Sequence, residues 1–165
     1  MIGRFLAVVL GLAGAAFGSQ APGFTLLYMQ NLQGRIDELR PIVEQFDADV
    51  ARYGYTRATA LSECESSTGL LEALCSGYAT TIRRYDELTA HMAQLQSVSE
   101  LRRPLILAAS YKRDIAESVM KEFKPAVPIA ADGAIYAGGG FGVVWGGLSL
   151  IFGLLGALGG GWRYA

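Results

Sequence analysis

Residues 5–34 read FLAVVLGLAGAAFGSQAPGFTLLYMQNLQG, thirty positions without a charge. A helix needs about 20 apolar residues to cross a hydrocarbon core about 30 Å thick, so this run is long enough to span a bilayer. A second uncharged run of equal length, GAIYAGGGFGVVWGGLSLIFGLLGALGGGW, occupies 133–162. Of the 29 charged residues in the chain, 27 fall between Arg35 and Asp132, and only Arg4 and Arg163 lie outside that block. The pattern predicts an all-α membrane protein: a first transmembrane helix over 1–28, an extramembrane helical hairpin domain over 29–131, a second transmembrane helix over 132–162 and a short tail over 163–165. With 52% hydrophobic residues in 165, a soluble single domain is a poor reading of the composition.

Met1–Arg4, the apolar stretch Phe5–Phe17 and then Gly18-Ser19-Gln20 look like a secretory signal. Apolar character resumes through Phe24, Leu26, Leu27 and Tyr28, which predicts an uncleaved signal-anchor, kinked at Pro22-Gly23. Small residues recur every fourth position at Gly3, Ala7, Gly11, Ala15, Ser19 and Gly23, with Gly14 and Gly18 on an adjacent row. Four-residue spacing aligns them on one helix face and lets a second backbone come close.

The second run starts from Asp132, the expected N-cap, and holds most of the glycines, 12 of 21 falling in Gly133–Ala165. Gly138, Gly142 and Gly146 step by four, as do Gly153, Ala157 and Gly161, so this helix also expects a close neighbour. Gly138-Gly139-Gly140-Phe141-Gly142 lacks the lysine and preceding strand of a phosphate loop. Trp145 is read as a packing or lipid-facing side chain, and Trp162, Arg163 and Tyr164 suit a membrane interface.

Between the runs, Leu32, Ile36, Leu39, Val43, Phe46, Val50 and Tyr53 follow alternating steps of four and three. Leu71, Leu74, Tyr78, Thr81, Tyr85, Leu88, Met92 and Leu95 repeat the pattern. Two such stripes bury each other in an antiparallel hairpin, with Thr56–Glu65 as a small helix at the tip and Pro41 predicting a kink near Asp37–Arg40. Two shorter helices follow, around Leu101–Ala109 and Lys112–Phe123. In the latter, Ile115, Val119 and Phe123 share a face ringed by Lys112, Arg113, Lys121 and Lys124; such a helix lies at a membrane interface or packs on the hairpin base. Pro125 and Pro128 end it and re-aim the chain.

The net charge is −1 and the middle block carries 12 basic against 15 acidic residues, so no basic field for nucleic acid exists. His91 is the only histidine, with no ligand-spaced partner, and reads as an exposed side chain beside the second stripe rather than a metal ligand. Asp86-Glu87, and Asp47 with Asp49, are carboxylate pairs of the kind a long solvated helix carries by default. Neither run contains an ionisable residue. No catalytic, cofactor or metal site is expected. Cys64 and Cys75, 11 positions apart, are two buried thiols or one short disulfide; the disulfide is the expectation, provided the compartment is oxidising.

A glycine-rich first span running into Gln30-Asn31-Leu32-Gln33-Gly34, then Arg84-Tyr85-Asp86-Glu87-Leu88, then Phe123-Lys124-Pro125-Ala126-Val127-Pro128 before the second span is similar to an uncharacterised family of proteobacterial two-span inner-membrane proteins, domain of unknown function 2937. The likeness covers nearly the whole chain. It implies a two-span topology and no functional residues; Pro41 and the two cysteines depart from the usual pattern, so it says nothing about a disulfide.

Basic residues flanking the spans, taken alone, place the middle block in the cytoplasm, but that rule weakens for loops beyond about 60 residues. The signal-like start and the cysteines favour a bacterial inner-membrane protein with the hairpin periplasmic and both termini cytoplasmic. The function expected is that of a non-catalytic interaction or accessory protein whose partners are the lipid bilayer and either further copies of itself or a larger membrane complex. The alternative, a small oligomeric channel or transporter component, requires a polar stripe that the spans lack.

Overall fold

The computed structural model describes residues 2–125 and 131–159, and every regular element among them is an α-helix. α1 (Ile2–Ser19) leads into α2 (Ala21–Arg52), α3 (Arg57–Glu65) turns the chain, α4 (Leu70–Gln96) returns along α2, α5 (Arg103–Ser110) and α6 (Arg113–Glu122) close the hairpin base, and α7 (Ala131–Gly159) runs back along α1. Two stretches are long and apolar enough to cross a membrane: the α1–α2 rod from Phe5, and Gly133–Ile151 in α7.

The junction of α1 and α2 lies at Gln20, ahead of the Pro22-Gly23 pair expected to bend it, and Gln20 itself keeps α-helical dihedrals (φ −81°, ψ −16°). Pro22 sits in the first turn of α2, where a missing N–H leaves no intrahelical bond unmade. Pro41 also lies inside α2, which continues past it to Arg52. α7 starts at Ala131, so Asp132 belongs to its first turn instead of capping it from outside. Pro128, Gly160, Gly161, Trp162, Arg163 and Tyr164 lie outside the described residues.

The core sits where four helices meet at the base of the hairpin. Tyr28, Leu32 and Ile36 of α2 face Leu88, Met92 and Leu95 of α4, while Leu107 of α5 and Ile115 and Val119 of α6 close the cluster. Each such side chain, fully buried, contributes about 1.5–3 kcal/mol relative to exposure. Of the two readings of the basic stretch around α6, the structure has the packed one: Ile115 and Val119 are buried in the base, and Phe123 meets Phe24 edge-on at 5.6 Å.

The apolar seam is shorter than the stripes suggest. It reaches the Phe46–Tyr78 ring contact at 5.2 Å; beyond it Leu71 and Leu74 are exposed and Tyr53 is 81% exposed. α2 ends at Arg52, and the nine-residue α3 is too polar to bury any residue, so the distal stripe gains no cover among the described residues. On α4 the buried position is Ile82, not its neighbour Thr81. Gly54 and Gly69 bound this tip at φ of 80° and 68°, a backbone region that favours a residue without Cβ. Between them Thr56 caps α3 through a reciprocal pair with Thr59.

Candidate functional site

α1 and α7 share the most extensive helix contact of the molecule, and glycine makes it possible. A Cβ placed on Gly11 would stand 2.8 Å from the Phe141 ring and 3.1 Å from Trp145 Cβ; on Gly14, 2.6 Å from Val144 Cγ2 and 2.7 Å from the Gly140 carbonyl; on Gly18, 2.5 Å from the Tyr136 carbonyl. A Cβ on Gly140 would collide with the Gly14 carbonyl. Partners fall in number on α7 as positions rise on α1, so the pair is antiparallel, with backbone meeting backbone around Gly14 and Gly140. Such closeness gains dispersion contacts that larger side chains would prevent.

On α1, Ala7, Gly11 and Ser19 are buried in this pair and Ala15 is half-buried; Gly3 lies in the first turn of α1. On α7 the contact with α1 does not run through the expected row: a Cβ at Gly138, Gly142 or Gly146 would meet nothing within 4 Å in the single chain. The face turned to α1 is instead Tyr136, Gly140 and Val144, with Phe141 and Trp145 stacked 6.2 Å apart over Gly11. Two positions along a helix rotate a side chain by about 200°, so the rows through Gly138 and Gly140 face nearly opposite ways. The run Gly138-Gly139-Gly140-Phe141-Gly142 offers small residues in nearly every direction, and spacing alone cannot choose among them. The large neighbours choose: Gly11 admits the Phe141 ring.

At the hairpin base, Asp114 of α6 is held by two arginines. Its Oδ2 accepts from Arg35 Nη1 at 2.8 Å and from Arg84, while Arg35 Nη2 also donates to Ser118 Oγ at 3.0 Å and Arg35 Nε to Asn31 Oδ1 at 3.1 Å. α2, α4 and α6 are thereby tied at one carboxylate. All three charged side chains are partly exposed, so the energetic return is modest, about 0–1 kcal/mol per pair. Asn31, Arg84 and the core residues Leu32 and Leu88 belong to two of the sequence motifs quoted above, which this base brings together.

His91 departs from its expected exposed position: it is 6% exposed and lies 3.1 Å from the Tyr28 hydroxyl through Nε2. That hydroxyl accepts the Lys112 backbone N–H at 2.9 Å, leaving its own proton to donate to a neutral imidazole. Burial pushes the His91 pKa down and the charge of Lys112 adds to it, against a smaller opposing hydrogen bond with Gln94. A signal for this was present, since His91 is three residues after Leu88 and four before Leu95, on the buried face.

The carboxylate pairs are each engaged by cations. Arg57 Nε donates to Asp47 Oδ1 at 2.8 Å and Arg57 Nη1 stands 3.5 Å from Asp86, while Glu87 faces Lys112 at 3.9 Å and Asp49 faces Arg52 at 3.3 Å. Arg57 thus bridges Asp47 of α2 and Asp86 of α4. Among the described residues no three of His, Cys, Asp and Glu converge as metal ligands. Cys64 and Cys75 are disulfide-bonded with Cα atoms 5.5 Å apart, joining the end of α3 to the second turn of α4. The disulfide and the ion pairs fasten α2, α3, α4 and α6 to one another.

No curated protein and no solved structure matches the chain. A family model described as protein of unknown function (DUF2937) matches residues 2–160, and the chain belongs to that family.

Proposed function

We propose that this DUF2937 protein is a non-catalytic, two-span membrane protein that works as an interaction or scaffold subunit, holding a helical hairpin at the membrane for a partner complex. The observation that carries the reading is the outer surface of the α1–α7 pair. Phe17 is 82% and Val143 77% exposed, and Phe5, Leu12, Leu150 and Leu154 are exposed beside them. A contiguous apolar sheath of this kind is costly in water and at ease in lipid. The Cys64–Cys75 disulfide supports a periplasmic hairpin with both termini cytoplasmic in a bacterial inner membrane, because cytosolic thiols are kept reduced. The open row Gly138, Gly142 and Gly146, turned away from α1, supports association with a further helix from a second copy or another subunit.

A reporter active only in the periplasm, fused after Thr68, tests the topology: activity is expected, and a stable but inactive fusion inverts it. Purification from native membranes in mild detergent tests the role. A stoichiometric companion or a defined homo-oligomer is expected; a monodisperse lone chain that turns over a substrate would overturn the reading.

A further inference from the structure

Where α1 ends, α7 begins and the hairpin base starts, the chain forms a half-open cavity of about 580 Å³. That is within the size of small-molecule sites, about 300–1,000 Å³. Gln20, Leu26, Pro104 and Phe123 form much of its wall, and its ionised lining groups are Arg103, Lys124 and Glu100, a balance of two positive to one negative. Its depth along the molecule follows from the helix pairing: Gly18 of α1 meets Tyr136 of α7, so Ser19, Gln20 and Gly133 mark the hairpin-side end of both apolar helices. The Tyr136 hydroxyl donates to the Leu101 carbonyl, which ties α7 to the segment between α4 and α5 and fixes one wall against another.

Arg103 is the informative residue. Its side chain is only 26% exposed, it donates from Nε to the Leu95 carbonyl at 3.2 Å, and its Nη1 stands 3.6 Å from Glu100, whose own side chain is 82% exposed. A guanidinium has five N–H donors, and a solvated carboxylate at that distance neutralises it weakly. A mostly buried cation, a second cation at Lys124 and an apolar wall that opens through exposed Leu26 therefore share one cavity at the rim of the span pair.

We propose that this cavity binds one anionic phospholipid, its phosphate between Arg103 and Lys124 and its glycerol and upper acyl carbons along Leu26 and Phe123. A free phosphate would satisfy the cations and leave the apolar wall unmatched. A zwitterionic lipid would bring a second cation toward Arg103 and Lys124. The inference rests on the two-span reading.

The test uses the full chain in a non-ionic detergent, titrated with phosphatidylglycerol, phosphatidylcholine or inorganic phosphate and read by native mass spectrometry. One retained phosphatidylglycerol is expected, with phosphatidylcholine held about tenfold more weakly and inorganic phosphate failing to displace the lipid. Arg103→Gln and Lys124→Gln should each weaken retention about fivefold, and Arg113→Gln, on the exposed side of α6, should leave it unchanged. Because Arg103 also supports the Leu95 carbonyl, Lys124→Gln keeps the test decisive if Arg103→Gln does not fold. Equal retention of the two lipids, unaltered retention by Lys124→Gln, or displacement by inorganic phosphate would overturn the site. Release of the protein from membranes by alkaline carbonate would overturn the two-span reading and the lipid site with it; a carbonate-resistant protein without headgroup preference overturns the site alone.

Discussion

The molecule contains two antiparallel helix pairs built on opposite rules. α2 and α4 meet through large side chains, Leu32 and Ile36 against Leu88 and Leu95, with polar clasps at Tyr28–His91 and Arg35–Asp114–Arg84. α1 and α7 meet through absent side chains, with Gly14 and Gly140 in backbone contact, Phe141, Val144 and Trp145 seated over Gly11 and Gly14, and Phe5, Leu12, Phe17 and Val143 turned outward. In water, association is driven by the apolar area removed, which rewards bulk at the interface. Among lipid tails that drive is missing, and close backbone packing takes its place. The contrast is itself a physical argument that the two pairs work in different solvents.

The largest effect should come from exchanging the rules. Gly140→Leu puts a side chain where the Gly14 carbonyl already stands, so it should separate α1 from α7, lower the thermal midpoint in detergent and cost more stability than the about 1–3 kcal/mol of an ordinary overpacked core. Gly142→Leu, facing open space, should leave the midpoint of the single chain unchanged and act on self-association alone. Equal effects from both would remove the register described here.

Next in size is the tip, which lacks the core that the base has. Cys64→Ser should cost up to about 3 kcal/mol by freeing the short loop in the unfolded chain. Hydrogen exchange should show the loss confined to α3 and the first turns of α4, with α6 and the base of α2 still protected. Loss of protection throughout would mean that tip and base are one cooperative unit.

A pH dependence sharpens the comparison within the base. The unfolded His91 titrates near 6.5 and the folded one lower, so the unfolded chain binds the extra proton first. The contribution is present in full above about pH 6.5 and is lost as pH falls through that value towards the folded pKa. Tyr28 of α2, Gln94 of α4 and the Lys112 cation surround the imidazole and bring it no carboxylate partner. Denaturant midpoints measured from pH 8 to pH 5 should fall, and His91→Gln should flatten the dependence of the base; an unchanged slope would place the titration elsewhere. The smallest expected effect is Asp114→Asn, at most about 2 kcal/mol by equilibrium unfolding for its two pairs, since the carboxylate it neutralises is half exposed.

Much of the hairpin is legible in periodicity. The four-and-three steps from Leu32 to Val43 and from Leu88 to Leu95 mark the buried faces of α2 and α4, and the short segments at Arg57–Glu65, Arg103–Ser110 and Arg113–Glu122 fall near their expected places. What periodicity misses is whether a partner is there to cover a stripe. Leu71 and Leu74 satisfy the pattern and are exposed because α3 is short and polar. His91 breaks the apolar pattern and is buried, because Tyr28 supplies a hydrogen bond from a helix 63 residues away. The α7 face turned to α1 escapes spacing for a third reason: five small residues in six positions leave the contact face undetermined until Phe141 and Trp145 are placed against Gly11. The cavity at the span ends draws on four separate segments of the chain, which no local spacing reveals.

The single-residue joint at Gln20 has a mechanical consequence. Because its dihedrals stay helical, α1 runs on into α2, and the Tyr136 hydroxyl ties α7 to the segment between α4 and α5. α2 is 32 residues long, about 48 Å at 1.5 Å per residue. A change of about 5° in the tilt of α1 therefore sweeps the disulfide-clasped tip sideways by about 4 Å. On the two-span proposal, the hairpin is a lever pivoted at Gln20, and a tilt of the α1–α7 pair is carried to its tip as displacement.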